Sequence, residues 1–357
     1  MPTMTIAVDT KKNSQPHFPA KREKPRVLFA VEEPMFETIF SKRDLNRLGA
    51  LAHILNWLPP KKADKQFLLN HIDDSEIVVG SWGTSAFEED VLAKASHLRL
   101  VCYGAGTVRP MVNDTFWRKG VRITSAAEAI AYGVAEFCLG LILTAPKRVP
   151  WLAEDTRHGY WAQGISSFGG GFEIYQQNIG IIGVGHIGRH LIRLLKNFDC
   201  NIHVYDPYLS GEKAALIGVN QVETLDELFS TCRVVSLNAP SIEATRDMLR
   251  GHHFAALQKG SVFINTAGSI QIHEAEFVAE LRKGHFIACL DRCEQEPCAL
   301  DHPYRCLPNV LLTPHIAGVM AENRFRIGTF VVDEIENYIH GKPLKFEVTE
   351  DALSRMA

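Results

Sequence analysis

The chain has 357 residues, 46% hydrophobic and 22% charged, and its 38 Lys+Arg against 41 Asp+Glu leave a formal net charge of −3. This is the make-up of an ordinary soluble globular chain, long enough for two domains of ~100–200 residues each. The balanced charge points to neither nucleic acid nor an anionic membrane, no apolar run approaches the ~20 residues of a membrane span, and the opening MPTMTIAVDTKKNSQPHF lacks the apolar core of a secretory signal.

Residues 1–24 are polar, without apolar period, and read as a mobile tail. Order begins at the apolar run Arg26–Ala30, a buried-strand pattern repeated at Ile77–Gly80, 98–103 and 121–124. Helix-compatible stretches, 45–57 and 87–95 among them, lie between, so this region predicts a parallel sheet covered on both faces. Residues 128–147 form a long apolar helix pattern. Glu136 interrupts it, Gly133 and Gly140 lie inside it and Pro146 closes it, which favours a core or interface helix over a membrane span. A second series of strands follows at Asn178–Ile182, Asn201–Tyr205, Val234–Leu237, Val262–Asn265, 286–290 and 310–313, again with helical stretches between, as at 274–283. The prediction is an α/β protein of two doubly wound parallel-sheet, Rossmann-like domains around a cleft. A last helix pattern, 322–339, is stopped by Gly341 and Pro343.

Gly183-Val-Gly185-His186-Ile187-Gly188 is a G-x-G-x-x-G placed between the strand Asn178–Ile182 and a helix, with Asp206 at the end of the next strand. Gly183 permits the tight turn, Gly185 lets the backbone approach a pyrophosphate, and Gly188 lets helix pack closely on strand. The helix N-terminus presents free N–H groups to phosphates. Asp206 suits two ribose hydroxyls and repels a 2′-phosphate, and Pro207 and Tyr208 offer no cation, so the pattern favours NAD over NADP.

Eight cysteines in a chain of this length do not form a disulfide scaffold. Cys289, Cys293, Cys298 and Cys306 cluster in sequence but match no paired C-x-x-C zinc spacing, so they read as reduced packing thiols of a cytoplasmic protein, with no metal.

Two further segments are Asp291-Arg-Cys-Glu-Gln-Glu296-Pro297 and Thr313-Pro-His315-Ile-Ala-Gly318. With the glycine motif, Val134-Ala-Glu136, Gly159-Tyr-Trp161 and Ser236-Leu-Asn-Ala239-Pro240, they make the chain resemble the D-isomer-specific 2-hydroxyacid dehydrogenase family, which includes formate, glycerate and phosphoglycerate dehydrogenases. The resemblance implies that His315 is the acid/base at the substrate oxygen, that Glu296 pairs with it, and that Asp291 holds the nicotinamide carboxamide. A carboxylate beside an imidazole favours its protonated form, which suits proton donation as hydride arrives on carbon. The resemblance also implies NAD contacts at Ala239, Pro240, Thr266, Ala267 and His315. Trp82, Gly83, Tyr103, Gly104, Ala105 and Gly106 are expected beside a small carboxylic-acid substrate, with Trp82 and Tyr103 equally able to be core. It further implies residues 25–127 plus 322–357 as substrate domain, 128–321 as dinucleotide domain, and a homodimer.

One family residue is missing. Gly268 in Asn265-Thr-Ala-Gly268-Ser269 stands where the family carries an arginine that clamps the substrate carboxylate. A planar, permanently charged fork is hard to replace. Three explanations are open: Arg292 substitutes, the substrate lacks the usual 2-oxo acid head, or hydride transfer is lost while NAD binding persists. Three functions are weighed: an oxidoreductase on a 2-hydroxy acid or a relative of one, an NAD-binding regulatory or scaffold protein that has lost hydride transfer, and an NAD-containing lyase or isomerase.

Overall fold

The computed structural model describes residues 23–161, 170–318 and 320–356; apart from Glu23 and Lys24, the predicted tail lies outside them. The strands are β1 (Arg26–Ala30), β2 (His53–Ile54), β3 (Ile77–Gly80), β4 (Leu100–Tyr103), β5 (Arg122–Ser125), β6 (Asn178–Ile182), β7 (Asn201–Tyr205), β8 (Asn220–Gln221), β9 (Val234–Leu237), β10 (Val262–Asn265), β11 (Ile287–Leu290), β12 (Val310–Leu312) and β13 (Glu347–Val348). They form two α/β sheets, ordered β13-β5-β4-β3-β1-β2 and β12-β11-β10-β9-β6-β7-β8. All pairings are parallel except β13 on β5, where the chain returns to the first sheet antiparallel. Central strands such as β3, β4, β9 and β10 are buried along their whole length because helices cover both faces, which is why they read as unbroken apolar runs.

The strand orders fix where loops open into crevices. In the second sheet the order reverses between β6 and β9, so the turn after β6 and the loop after β9 diverge at the carboxyl edge and leave a crevice. In the first sheet the reversal lies between β1 and β3, which opens the loop that begins at Ser81.

One predicted helix is shorter than its pattern. The 45–57 stretch gives a helix at Lys42–Leu51, after which His53–Ile54 leaves to pair with β1 as the sheet's edge. Two short strands, β8 and β13, carry too few apolar residues to signal themselves.

The long apolar stretch forms the helix Ala127–Thr144, which packs on the helix His186–Leu195. By length and composition it is apolar enough to cross a membrane. Its buried side chains Val134, Cys138, Leu141 and Ile142 belong to a core cluster with Ile181, Leu191 and Ile264. Gly133 is needed for a close approach: a Cβ there would lie 2.1 Å from the Gly318 carbonyl oxygen.

A second core cluster, on the other face of that sheet, centres on Phe254, whose ring lies 5.1 Å from Phe263 and 4.5 Å from Phe277. The C-terminal helix Phe325–Ile339 packs on the first sheet's side. Buried Glu334 accepts the Phe346 N–H at 3.0 Å, and Arg47 pairs with Asp333 at 2.6 Å.

Candidate active site

The crevice at the β6/β9 reversal is a continuous cleft made of two adjoining cavities. One is lined by Gly185, His186, Ile187, Ala239, Pro240, Thr266 and Ala267, the other by Gly183, Asp206 and Tyr208, with Gly185, Asn238, Ala239 and Pro240 shared. Nine of the residues expected to bind a dinucleotide thus come together. Gly183 adopts φ +90°, and Gly185 has open space where a Cβ would project. Gly188 lies beneath, packed on the turn. A Cβ there would sit 2.1 Å from the Gly183 carbonyl oxygen, so Gly188→Ala should lower stability by about 1–3 kcal/mol and weaken NADH binding, read from urea midpoints and fluorescence titration.

Asp206 is already partly engaged: Oδ2 accepts the Val184 N–H at 2.7 Å and Oδ1 that of Tyr208 at 2.8 Å. These bonds fix its orientation and leave lone pairs for ribose hydroxyls. Asn238 donates from Nδ2 to the Ser236 carbonyl and hydroxyl, and its buried Oδ1 has no partner among the described residues. A buried acceptor without a donor is uncommon, and it belongs to a residue that lines both cavities. His186 is tied down by Glu128, whose other oxygen accepts from His190 Nε2 at 2.8 Å. Partial burial would raise the Glu128 carboxyl, but the two histidine contacts outweigh it and hold it below its usual range.

The second constellation lies at the ends of β11 and β12. His315 Nδ1–H donates to Glu296 Oε2 at 2.8 Å, which leaves Nε2 without a partner among the described residues on a half-exposed side chain. Arg292 Nε–H donates to the other oxygen, Glu296 Oε1, at 2.6 Å. Burial alone would raise the Glu296 carboxyl; the bonds from Arg292 and His315 reverse that and hold it below the ordinary carboxylate value.

His315 itself sits at φ +54°, in the left-handed region. The device that holds it there is Asp291. That buried carboxylate accepts from Thr313 Oγ1 at 2.6 Å, the Ile316 N–H at 2.9 Å and the Ala317 N–H at 2.8 Å.

Several expectations are corrected. Asp291 was expected at the nicotinamide carboxamide. A buried carboxylate needs donors, and this one finds three in the 313–317 turn; it lines the cavity of His315 and Glu296 and not the two cavities around the glycine turn. Arg292, a candidate substitute clamp, pairs with Glu296 through Nε alone. Tyr103 is buried in a core cluster and is not a pocket wall. The Gly104 N–H donates to the Gly80 carbonyl at 2.7 Å and is not available to an anion. Ala105 is buried, whereas Gly106 lines the cleft. Trp82 is exposed, and Gly83, at φ +88°, packs against the Glu32 carboxylate. His315 and Glu296 line a separate cavity beside the cleft, together with Asp291, Cys293 and Cys298. The Cys293 and Cys298 sulphurs and a ring nitrogen of His302 lie within 4.8 Å of one another, a convergence that spacing did not reveal; His302 Nδ1 accepts the Tyr304 N–H at 3.2 Å as a helix cap.

Gly268 is buried at a turn pinned by Asn265, whose Nδ2–H donates to the Gly268 carbonyl at 2.6 Å. Its backbone is not in the left-handed region, so the glycine answers to space. A Cβ there would lie 2.4 Å from Ser241 Oγ.

The model of the D-isomer specific 2-hydroxyacid dehydrogenase NAD-binding domain matches residues 139–317, about half of the chain. The chain belongs to that family. The matched segment contains the whole cleft-forming second sheet, and NAD is its cofactor. Among curated proteins the chain is 30% identical over 279 residues to the D-3-phosphoglycerate dehydrogenase of Methanocaldococcus jannaschii, covering 78% of this chain and 52% of that protein. It is 26% identical over 322 residues to the glyoxylate reductase of Korarchaeum cryptofilum, covering 89% and 94%. The chain spans about half the length of the phosphoglycerate dehydrogenases it matches first. Among solved structures, the apo form of Rhodotorula graminis D-mandelate dehydrogenase superposes with a TM-score of 0.77 at 20% identity, over 92% of this chain and 98% of that one. This likeness concerns the fold.

Proposed function

We propose that this family member is an NAD-dependent oxidoreductase that interconverts a D-2-hydroxy acid and its 2-oxo acid, or a close relative of such a pair. The observation that carries this reading is the Arg292–Glu296–His315 chain, which leaves one imidazole nitrogen free for a substrate in a chain whose second sheet forms a dinucleotide cleft. Residues 25–127 plus 322–357 serve as the substrate unit and 128–321 as the dinucleotide unit, in a cytoplasmic homodimer.

NAD supplies the hydride acceptor or donor. The chain's own residues do the rest. Gly183, Gly185 and the N-terminus of the helix His186–Leu195 cradle the phosphates, and Asp206 takes the ribose. His315 gives a proton from Nε2 to the substrate oxygen during reduction and takes it back during oxidation. Glu296 keeps Nδ1 protonated and orients the ring, and Arg292 fixes the carboxylate. Gly106, which lines the cleft, is the one residue of the two loops expected beside the substrate that borders the dinucleotide cavities among the described residues.

The sign of the Glu296 shift gives a pH prediction. A depressed carboxyl is ionised at every pH above its ordinary value of 4.5, so its bond to His315 is present there and is lost only as pH falls through the lower folded value. The kcat/KM profile above about pH 5 should therefore contain no ionisation of Glu296. Glu296→Gln should lower kcat while removing no limb of the profile in that range.

The test of the function itself is NADH oxidation against a panel of 2-oxo acids. Absence of turnover with every member, alongside measurable NADH binding, favours the second reading, an NAD-binding regulatory protein. The closed packing of Ser241 against Gly268 supports that alternative.

A further inference from the structure

The preference for NAD rests on the Asp206 carboxylate and on the absence of a cation beside it in sequence. In space a cation is present. Arg355 lines both cavities of the dinucleotide cleft, together with Gly185 and Pro240, and among the described residues is the one lysine or arginine lining them. Its guanidinium lies over the Tyr208 ring, 5.8 Å from the centroid, two residues beyond Asp206. Among the described residues no carboxylate pairs with it.

The segment that carries Arg355 is anchored from the other side of the cleft. Arg109, in the turn Arg109–Met111 after β4, donates from Nε to the Met356 carbonyl at 2.9 Å and from Nη2 to the Leu353 carbonyl. A short helix, Glu350–Leu353, capped by Thr349, leads into it from β13. A cation rooted on the first sheet's side is thereby held over a cleft built by the second sheet.

We propose that Arg355 is a phosphate ligand of the bound dinucleotide. The glycine turn and the helix N-terminus offer N–H groups and partial charge to the phosphates but no full positive charge. Arg355 supplies it, in a fork geometry that matches phosphate oxygens. Two phosphates lie within this chemistry, the pyrophosphate common to NAD and NADP and the 2′-phosphate of NADP. Because Arg109 holds the segment, the contact also ties the two sides of the cleft together when the dinucleotide is bound.

The inference rests on the dinucleotide reading of the cleft and not on hydride transfer, so binding is the readout. NADH and NADPH are titrated separately into the full chain by fluorescence, for the wild type, Arg355→Ala, Arg355→Lys and Arg109→Ala, at low and high salt. Arg355 is exposed, so its replacement leaves the fold intact, which a thermal melt checks. Arg355→Ala should raise Kd by about 10–100-fold and flatten its salt dependence, with Arg355→Lys between. Equal losses for both nucleotides assign the pyrophosphate, and loss for NADPH alone assigns the 2′-phosphate. Arg109→Ala should reproduce part of the effect. Kd values within twofold of wild type for both nucleotides in Arg355→Ala would overturn the proposal. A protein that binds NADH through Arg355 but turns over no acid leaves this inference standing and removes the proposed reaction.

Discussion

Replacing His315 with asparagine should lower kcat for NADH-linked reduction by about 10²–10⁴-fold while leaving the Kd for NADH within about twofold. Asparagine is chosen on structural grounds. Position 315 sits at φ +54°, which asparagine tolerates better than any branched residue, and its amide can still donate to Glu296 Oε2. The substitution therefore removes the titratable proton and little else. The turn stays pinned by the Asp291 carboxylate through Thr313, Ile316 and Ala317. The dinucleotide cleft, which His315 does not line, stays formed. Single-turnover measurements with saturating NADH separate the chemical step from binding. A kcat that falls less than threefold in the asparagine variant would remove His315 from the proton-transfer role and leave the cleft as a binding site alone.

The parts of this site that were legible in the sequence are those where one short segment carries its own geometric demand. The glycine turn is one: φ +90° at Gly183 and the 2.1 Å approach at Gly188 admit no side chain, so the residue types themselves report the shape. Buried central strands are another, because a run that is apolar on both faces has few alternatives to a covered parallel sheet. Pairings between distant segments left no such mark. Nothing near Asp206 announces Arg355, nothing near His186 announces Glu128, and the local company of Asp291 gives no sign that its three donors lie at 313–317. Arg292 was visible as an unusual charge after an aspartate, but its partner is set by how the 291–297 loop folds back. Charge and hydrogen-bonding capacity can be read along a chain; the partner that satisfies them is a property of the fold.

The Gly268 position should respond to an arginine only if the space is cleared first. Gly268→Arg alone places a Cβ 2.4 Å from Ser241 Oγ, and Ser241 is not idle: it accepts from Gln271 Nε2 at 3.1 Å. Forcing it aside should lower stability by about 1–3 kcal/mol. The backbone itself is no obstacle, since Gly268 is absent from the glycines with positive φ. Ser241→Ala removes the clashing hydroxyl, so the double variant Ser241→Ala/Gly268→Arg should recover most of that stability and present a guanidinium at the end of β10, next to the end of β11. Two charge-assisted hydrogen bonds to a substrate carboxylate, at ~1.5–3 kcal/mol each, would then raise kcat/KM for 2-oxo acids by about 10²–10⁴-fold over the wild type. The assay is NADH oxidation across a 2-oxo acid panel, with urea midpoints for wild type, single and double variants. If the double variant folds and binds NADH but its kcat/KM stays within threefold of wild type for every acid, the carboxylate is held elsewhere.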